Sequence, residues 1–489
     1  MKDTRTISLL SIRMWMQYFT NILLSDEYET QFLRKVKQVL VITYYWPPSG
    51  GSGVQRWLKF SKYLHEFGWE PVIYTPSNPE VNAEDPDLEK DILPGTIIIK
   101  HKITEPYSLY KIFTGKKSGN GKSGGKFIKA NIVADSAHLS LTGKISLFIR
   151  GNFFIPDPRC WWIRPSVKYL YKYLARHPVD AIITTGPPHS MHLIGHKLHI
   201  KTHIPWIADF RDPWTEVFYF KHLKLTGPAR RKHLKLEQKV IDDASSLIVV
   251  SEKMKSDFAK RTSTPIKVIT NGYDPGDFKG ASGISRDNTC FTIVHTGILV
   301  NDGNPDVLWE ELGKKAATDG KFAVNLRIVV MGQTDESIYS DIKKNGLEKN
   351  FSDRGYVSHS EAIIWQKKAS LLLLPLRKEP ESAAILTGKF FEYLAAGSKI
   401  LAFGPEDGEL AGALAETGSG KICDWDNREG IRAAIDKSYD EFLAESENTG
   451  NYNNENQKAG PASSKFSRIT LTGELAELLF NLTEKNHEK

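Results

Sequence analysis

Gln38–Gly53, QVLVITYYWPPSGGSG, opens as a near-continuous apolar run, Gln38–Tyr44. Strands read this way when helices cover both faces of their sheet. A Pro/Gly/Ser turn follows, then a helical pattern over Val54–Phe67. Strand, glycine-rich turn and helix together start a βαβ unit. The same alternation continues outward. Further strand-like runs are Pro71–Thr75, Thr96–Lys100, Ala181–Thr184, Pro205–Phe210, Ser246–Val250 and Lys267–Thr270. A polar break at Lys279–Asn288 reads as an interdomain linker, and the pattern then restarts. Its second set is Phe291–His295, Leu326–Met331, Gly355–Val357, Leu371–Leu376 and Lys399–Phe403.

The expectation is an α/β protein of two Rossmann-like, doubly wound parallel-sheet domains. An N-terminal extension covers 1–36, the first domain 37–278, the linker 279–288 and the second domain 289–444. Residues 445–465 are polar and read as disordered, and 466–489 as a C-terminal helix and tail. Within it, Leu471–Leu482 is amphipathic enough to dock back on the body. Residues 115–129, rich in Gly, Ser and Lys, read as a mobile basic loop in the first domain.

The chain has 489 residues, 40% hydrophobic and 25% charged, a composition that excludes wholesale disorder. A net charge of +7 suits an anionic ligand or an anionic membrane surface and is too weak to imply nucleic acid. Cys160, Cys290 and Cys423 are far apart and form no metal-ligand spacing, so a reducing compartment is expected and no metal. The most apolar terminal stretch, Ile7–Leu24, is interrupted by Arg13, Gln17, Thr20 and Asn21. It reads as a packed helix or extension rather than a span, with an interfacial helix as the alternative.

Five motifs carry candidate chemistry. Gly50, Gly51 and Gly53 end a strand and enter a helix, where backbone N–H groups and the helix dipole favour an anion. An ordinary tight turn explains them equally well. TTGPPHS, Thr184–Ser190, places His189 at a strand end and a helix start, where its imidazole could meet a sugar hydroxyl, take a proton or merely cap the helix. ADFRDPW, Ala208–Trp214, gathers Asp209, Arg211 and Asp212 at another strand end. They read either as an ion pair shaping the loop or as an acceptor-side polar wall. NGYD, Asn271–Asp274, is a turn placed for a hinge. TGKFFEYLAAG, Thr387–Gly397, lies between two strand runs and should form a crossover helix. Thr387 and Gly388 then sit at its N-terminus, and Lys389 and Glu392 share a face. Lys389 can neutralise a diphosphate and Glu392 can accept from ribose hydroxyls; a surface ion pair is the plainer account.

With YYWPPSGG at Tyr44–Gly51, PDPRCWW at Pro156–Trp162, HTG at His295–Gly297 and the motifs above, the chain resembles glycosyltransferase family 4, of GT-B fold, from about Val39 to Ile435. The resemblance implies a retaining, metal-independent transferase. A nucleotide-sugar donor of UDP or GDP type would bind the second domain, and a glycan or lipid-linked acceptor the first. By that analogy Thr387, Gly388 and Lys389 meet the diphosphate, Glu392 the ribose, and Gly355, Tyr356 and Val357 the nucleobase. His189 would lie near the transferred sugar, with Lys389 as its catalytic partner, and Gly51 would close over the phosphates. The sequence departs from the family twice. Eight residues before Glu392 stands Ala384 where a Glu is usual, and Ile298–Pro305 lacks the basic pair expected after HTG, leaving Lys389, the helix dipole and Arg56 to carry phosphate charge.

The resemblance also implies polysaccharide or cell-envelope synthesis in the cytoplasm. Phe148–Lys172 interleaves cations with aromatics. It reads as a buried aromatic cluster with a basic exterior, or as a surface for peripheral contact with the inner face of the membrane. Two rivals stand beside the transferase: a GT-B sugar-nucleotide epimerase, and an inactive scaffold in polysaccharide assembly.

Overall fold

The computed structural model describes residues 36–80, 84–105, 141–217, 220, 223–447 and 461–484. The extension 1–35, the basic loop 115–129 and most of the polar segment before the last helix lie outside these residues.

The first domain holds seven parallel strands: β1 Lys37–Ile42, β2 Trp69–Pro76, β3 Ile97–His101, β4 Ala181–Gly186, β5 Trp206–Phe210, β6 Ser246–Val249 and β7 Ile266–Val268. They pair in the order β3-β2-β1-β4-β5-β6-β7. The alternation of side chains along β1 builds two cores. Leu40 and Ile42 feed one and Val39 and Val41 the other, each against helices on its own face. The second domain holds six: β8 Phe291–Thr296, β9 Leu326–Met331, β10 Phe351–Asp353, β11 Leu371–Pro375, β12 Lys399–Phe403 and β13 Gly420–Cys423, in the order β10-β9-β8-β11-β12-β13. Each sheet reverses its winding once, between β1 and β4 and between β8 and β11. Open parallel sheets bind ligands at such switch points, outside the carboxyl ends of the strands.

One strand assignment needs correcting. Gly355–Val357 is a turn, not a strand; the strand lies just before it, at Phe351–Asp353. Gly355 takes φ +62°, and its N–H donates to Asp353 Oδ1 at 2.7 Å, so the chain leaves the sheet there.

The linker is not free. Asp287 N–H bonds Lys368 O at 3.1 Å, and Arg286 pairs with Glu445 at 2.6 Å. Just upstream, Asp274 of the NGYD turn is buried and held by Lys59 and Lys62 at 2.9 Å and by Tyr63 Oη at 2.5 Å. Opposing burial, these groups draw its carboxyl far below the usual range.

The last helix, Arg468–Glu484, leaves the second domain and crosses back. Phe466 belongs to the second domain's core, while Leu471, Leu475, Ala476 and Leu479 fill the first domain's outer core beside Trp57 and Trp69. Leu475 is fully buried. Leu475→Ala should cost about 2–5 kcal/mol and lower the thermal midpoint. An unchanged midpoint would mean that the helix is not part of the folded core.

Candidate active site

Two elements bring the carboxyl edges of the sheets together. The helix Glu252–Ala259 follows β6, and the helix Glu409–Thr417 follows β12. Glu409 Oε1 accepts from Lys253 N–H at 2.6 Å, so acid from one domain meets a helix N-terminus of the other. Beside the linker, His359 of the second domain packs close enough to Asp277 and Lys59 for their charges to act on it.

On the second domain, glycines build a continuous strip along the carboxyl edge. Gly297, Gly332 and Gly355 follow β8, β9 and β10, all with positive φ. Gly332 N–H donates to Gly355 O at 2.7 Å, and a Cβ at Gly332 would collide with the Gly297 carbonyl. A Cβ at Gly297 would in turn collide with the Lys389 side chain. The turn at β8 is fixed by Tyr393 Oη, which accepts from Thr296 N–H at 2.9 Å. Gly355 and Gly388 face open space, and Tyr356 is 78% exposed.

The helix Gly388–Ala396 starts beside this strip. The Thr387 side chain does not cap it, and its first turn holds no acid. Its first amides are therefore without a side-chain partner. Lys389 is half-buried, and burial lowers its pKa to about 8, against the pull of Glu392. One turn on, Glu392 lies 3.4 Å from His359 Nε2 and 3.4 Å from Gln366 Nε2. His359 is held above its ordinary pKa: burial works against the charge, but the Glu392 carboxylate outweighs it. His359, Gln366 and Tyr393 were not legible as site residues, because their partners lie far away in sequence.

On the first domain the motifs interlock. Asp157 of PDPR accepts from Ser190 N–H and Oγ at 2.8 Å, while Arg159 donates to Tyr44 Oη at 3.2 Å and pairs with Glu105 at 3.3 Å. Arg211 braces two strand-end turns through three carbonyls, donating to Gly53 O at 3.1 Å after β1, and to Gly186 O at 3.3 Å and Pro187 O after β4. It therefore binds carbonyls rather than Asp209 or Asp212. Asp209 is fully buried, pairs with Arg56 at 2.8 Å, and accepts from Trp57 Nε1 and Thr185 Oγ1 at 2.8 Å. Arg56 also donates to Ile269 O at 2.9 Å and Thr270 O at 2.8 Å, so it is not available to phosphate. Asp212 is solvent-accessible, yet the protein around it withdraws enough water to raise its carboxyl, against Arg211. Gly51 (φ +95°) is exposed and caps the helix Ser52–Tyr63 without a side-chain bond.

His189 is 5% exposed and stacks on Trp214 with ring centroids 4.8 Å apart; neither ring nitrogen has a hydrogen-bond partner. Burial, followed by His192, Arg211 and His233, drives its pKa well below 6.5. Burial similarly takes His192 to about 3, against Asp209. His295 is taken to about 3 by burial and then Lys389, against its bond to Leu373 O. All three are neutral in the fold and gain a proton below about pH 6.5 only when unfolded. The unfolded state then binds more protons, so stability falls with pH below that value. Between pH 7.5 and 5.5 we expect a loss of about 2–4 kcal/mol by urea titration. An unshifted midpoint would show that these rings are protonated in place.

Among the described residues, Asp91, Asp274 and Asp277 lie close enough to share a cation. Lys59 reaches all three at 2.5–2.9 Å and Lys62 reaches two, so ammonium groups already neutralise the cluster.

Two Rossmann-like parallel-sheet domains facing a cleft define the GT-B class. Residues 137–277 match the profile of Glycosyltransferase Family 4, a span that holds PDPR, TGPPHS, DFRDPW and NGYD. Three solved structures illustrate the likeness. Sucrose-phosphate synthase from Thermosynechococcus elongatus is 12% identical with a TM-score of 0.53, over 92% of this chain and 100% of that one. The UDP-forming alpha,alpha-trehalose-phosphate synthase from Burkholderia vietnamiensis is 10% identical with a TM-score of 0.55, over 92% and 99%. WaaG, a glycosyltransferase involved in lipopolysaccharide biosynthesis, is 13% identical with a TM-score of 0.50, over 90% and 99%. At these identities the likeness establishes the fold. No curated protein matches the sequence. No described helix is long and apolar enough to cross a membrane.

Proposed function

We propose that the protein is a glycosyltransferase that moves a sugar from a nucleoside-diphosphate sugar to a glycan or lipid-linked acceptor. The observation that carries this reading is the unbroken strip from Gly355 through Gly332 and Gly297 to Lys389, at the switch point of the second sheet. Side-chain-free turns let a diphosphate approach the backbone, and one ammonium stands at its end. The base lies at Gly355, Tyr356 and Val357, the ribose on Glu392, and the diphosphate between Thr387, Gly388 and Lys389. Gly51 closes the opposite side.

Chemistry then follows from charge. The bond from the anomeric carbon to the diphosphate oxygen breaks, and negative charge grows on the leaving phosphate. Protonated Lys389 and the helix amides stabilise it without reorganising. The acceptor oxygen bonds the same face of the sugar, and its proton passes to the departing phosphate, giving retention without a metal. The unpartnered nitrogens of buried His189 favour a hydroxyl ligand, because an unsatisfied buried polar group costs about 1–3 kcal/mol. Asp212 and the turns braced by Arg211 form the acceptor wall; Asp209 acts beneath them, through Arg56. Calorimetry with UDP and GDP, followed by a thermal-shift panel of sugar nucleotides, tests the reading. One nucleotide should bind and its sugar derivative should raise the melting temperature. If no nucleotide binds, the transferase reading is wrong.

A further inference from the structure

The helices Ile163–Leu174 and Ser190–Thr202 lie side by side on the first domain. Between them runs a groove of about 370 Å³. One helix contributes Arg164, Lys168 and Lys172, spaced four apart, and the other Lys197 and Lys201, also four apart. Four-residue spacing puts each set on one helix face. No acid lines the groove, and none of the five cations has an ion-pair partner among the described residues. Lys201 Nζ lies 5.6 Å from the ring centre of Tyr171, itself 49% exposed.

A set of exposed apolar side chains lies just upstream in the chain. On the helix Leu141–Phe153, Ile145, Phe148, Ile149 and Phe153 share a face and are 41–70% exposed. The next residue, Phe154, packs edge-on against Trp161 at 5.4 Å. Trp161 is 45% exposed and precedes Arg164 by one turn. The aromatic cluster expected at Phe148–Lys172 is therefore only partly interior: Trp162 is buried, whereas Phe148, Phe153, Trp161, Tyr169 and Tyr171 are not.

We propose that this face docks on an anionic lipid surface, with the cations on headgroup phosphates and these apolar side chains at the acyl boundary. Charge complementarity selects an anionic partner, and the aliphatic and aromatic residues beside the cations select a bilayer over an acidic polymer. A polyanion such as RNA would meet the lysines but leave Ile145, Ile149 and Phe153 in water. The proposal is independent of the donor site, because none of these residues belongs to the nucleotide strip.

Flotation of the full chain with phosphatidylcholine vesicles, and with vesicles of phosphatidylcholine and phosphatidylglycerol, tests it. Binding should require the anionic lipid and weaken with salt. Lys168→Glu combined with Lys172→Glu and Lys201→Glu should reduce binding by about 100-fold or more, with the melting temperature and nucleotide binding unchanged. Phe148→Ser with Phe153→Ser should reduce binding while keeping its salt dependence. Equal binding to both vesicle types, binding untouched by the charge reversal, or capture by heparin or RNA but not by vesicles would each overturn the proposal.

Discussion

Lys389→Met should lower kcat by about 10²–10³-fold while leaving the fold intact. The estimate follows from removing one preorganised charge donor at a developing phosphate anion. Because burial lowers its pKa to about 8, against Glu392, Lys389 carries its charge below that pH and loses it above. For the free enzyme, kcat/KM should therefore fall as pH rises through about 8. Lys389→Arg should not restore activity, since the planar guanidinium is bulkier than the ammonium that packs directly against Gly297 and presents its charge differently. Steady-state rates beside a thermal melt separate chemistry from folding. Full activity in the Met variant would remove Lys389 from the mechanism.

Asp209→Ala should destabilise the first domain by about 3–5 kcal/mol, because it leaves the Arg56 guanidinium buried beside an uncharged methyl group. Arg56 is 1% exposed and Asp209 is fully buried. The carboxylate also holds Trp57 and Thr185, and the guanidinium holds Ile269 O and Thr270 O, so one ion pair ties β4, β5, the first helix and the chain after β7 together. Arg56→Met should cost a similar amount. The double variant should cost less than the sum of the two, because it removes both charges. Urea titrations of all three proteins measure this coupling. Strict additivity, or a loss below about 1 kcal/mol for Asp209→Ala, would show the pair to be solvated.

Repeating strand and helix periods made the two-sheet architecture legible. Long buried strands such as β1 and β11 announce themselves through unbroken apolar runs. β10 did not, because three residues carry too little pattern, and the glycine after it looked like part of the run. The helix beginning at Gly388 was legible from the flanking strands alone. Its ligand-facing chemistry needed coordinates: nothing in the sequence says that Gly297, 92 positions before Lys389, packs against that side chain. The role of DFRDPW was equally hidden. Three charges in four residues suggest local pairing, but the partner of Asp209 is Arg56, 153 positions away, and Arg211 reaches for carbonyls. Ion pairs follow tertiary proximity, which short-range spacing does not encode.

The return of the final helix to the first domain has a topological outcome. Among the described residues polypeptide crosses between the lobes near Tyr273 and again near Ser467, and the two passages run side by side as a parallel bridge. A paired strap of this kind resists torsion more than it resists bending. Opening and closing should therefore follow a single axis, like a door on two pins. A protease nick at 282–286 would leave the halves joined, because the paired passages near Tyr273 and Ser467 both lie outside the cut and the returning helix still clasps the first lobe.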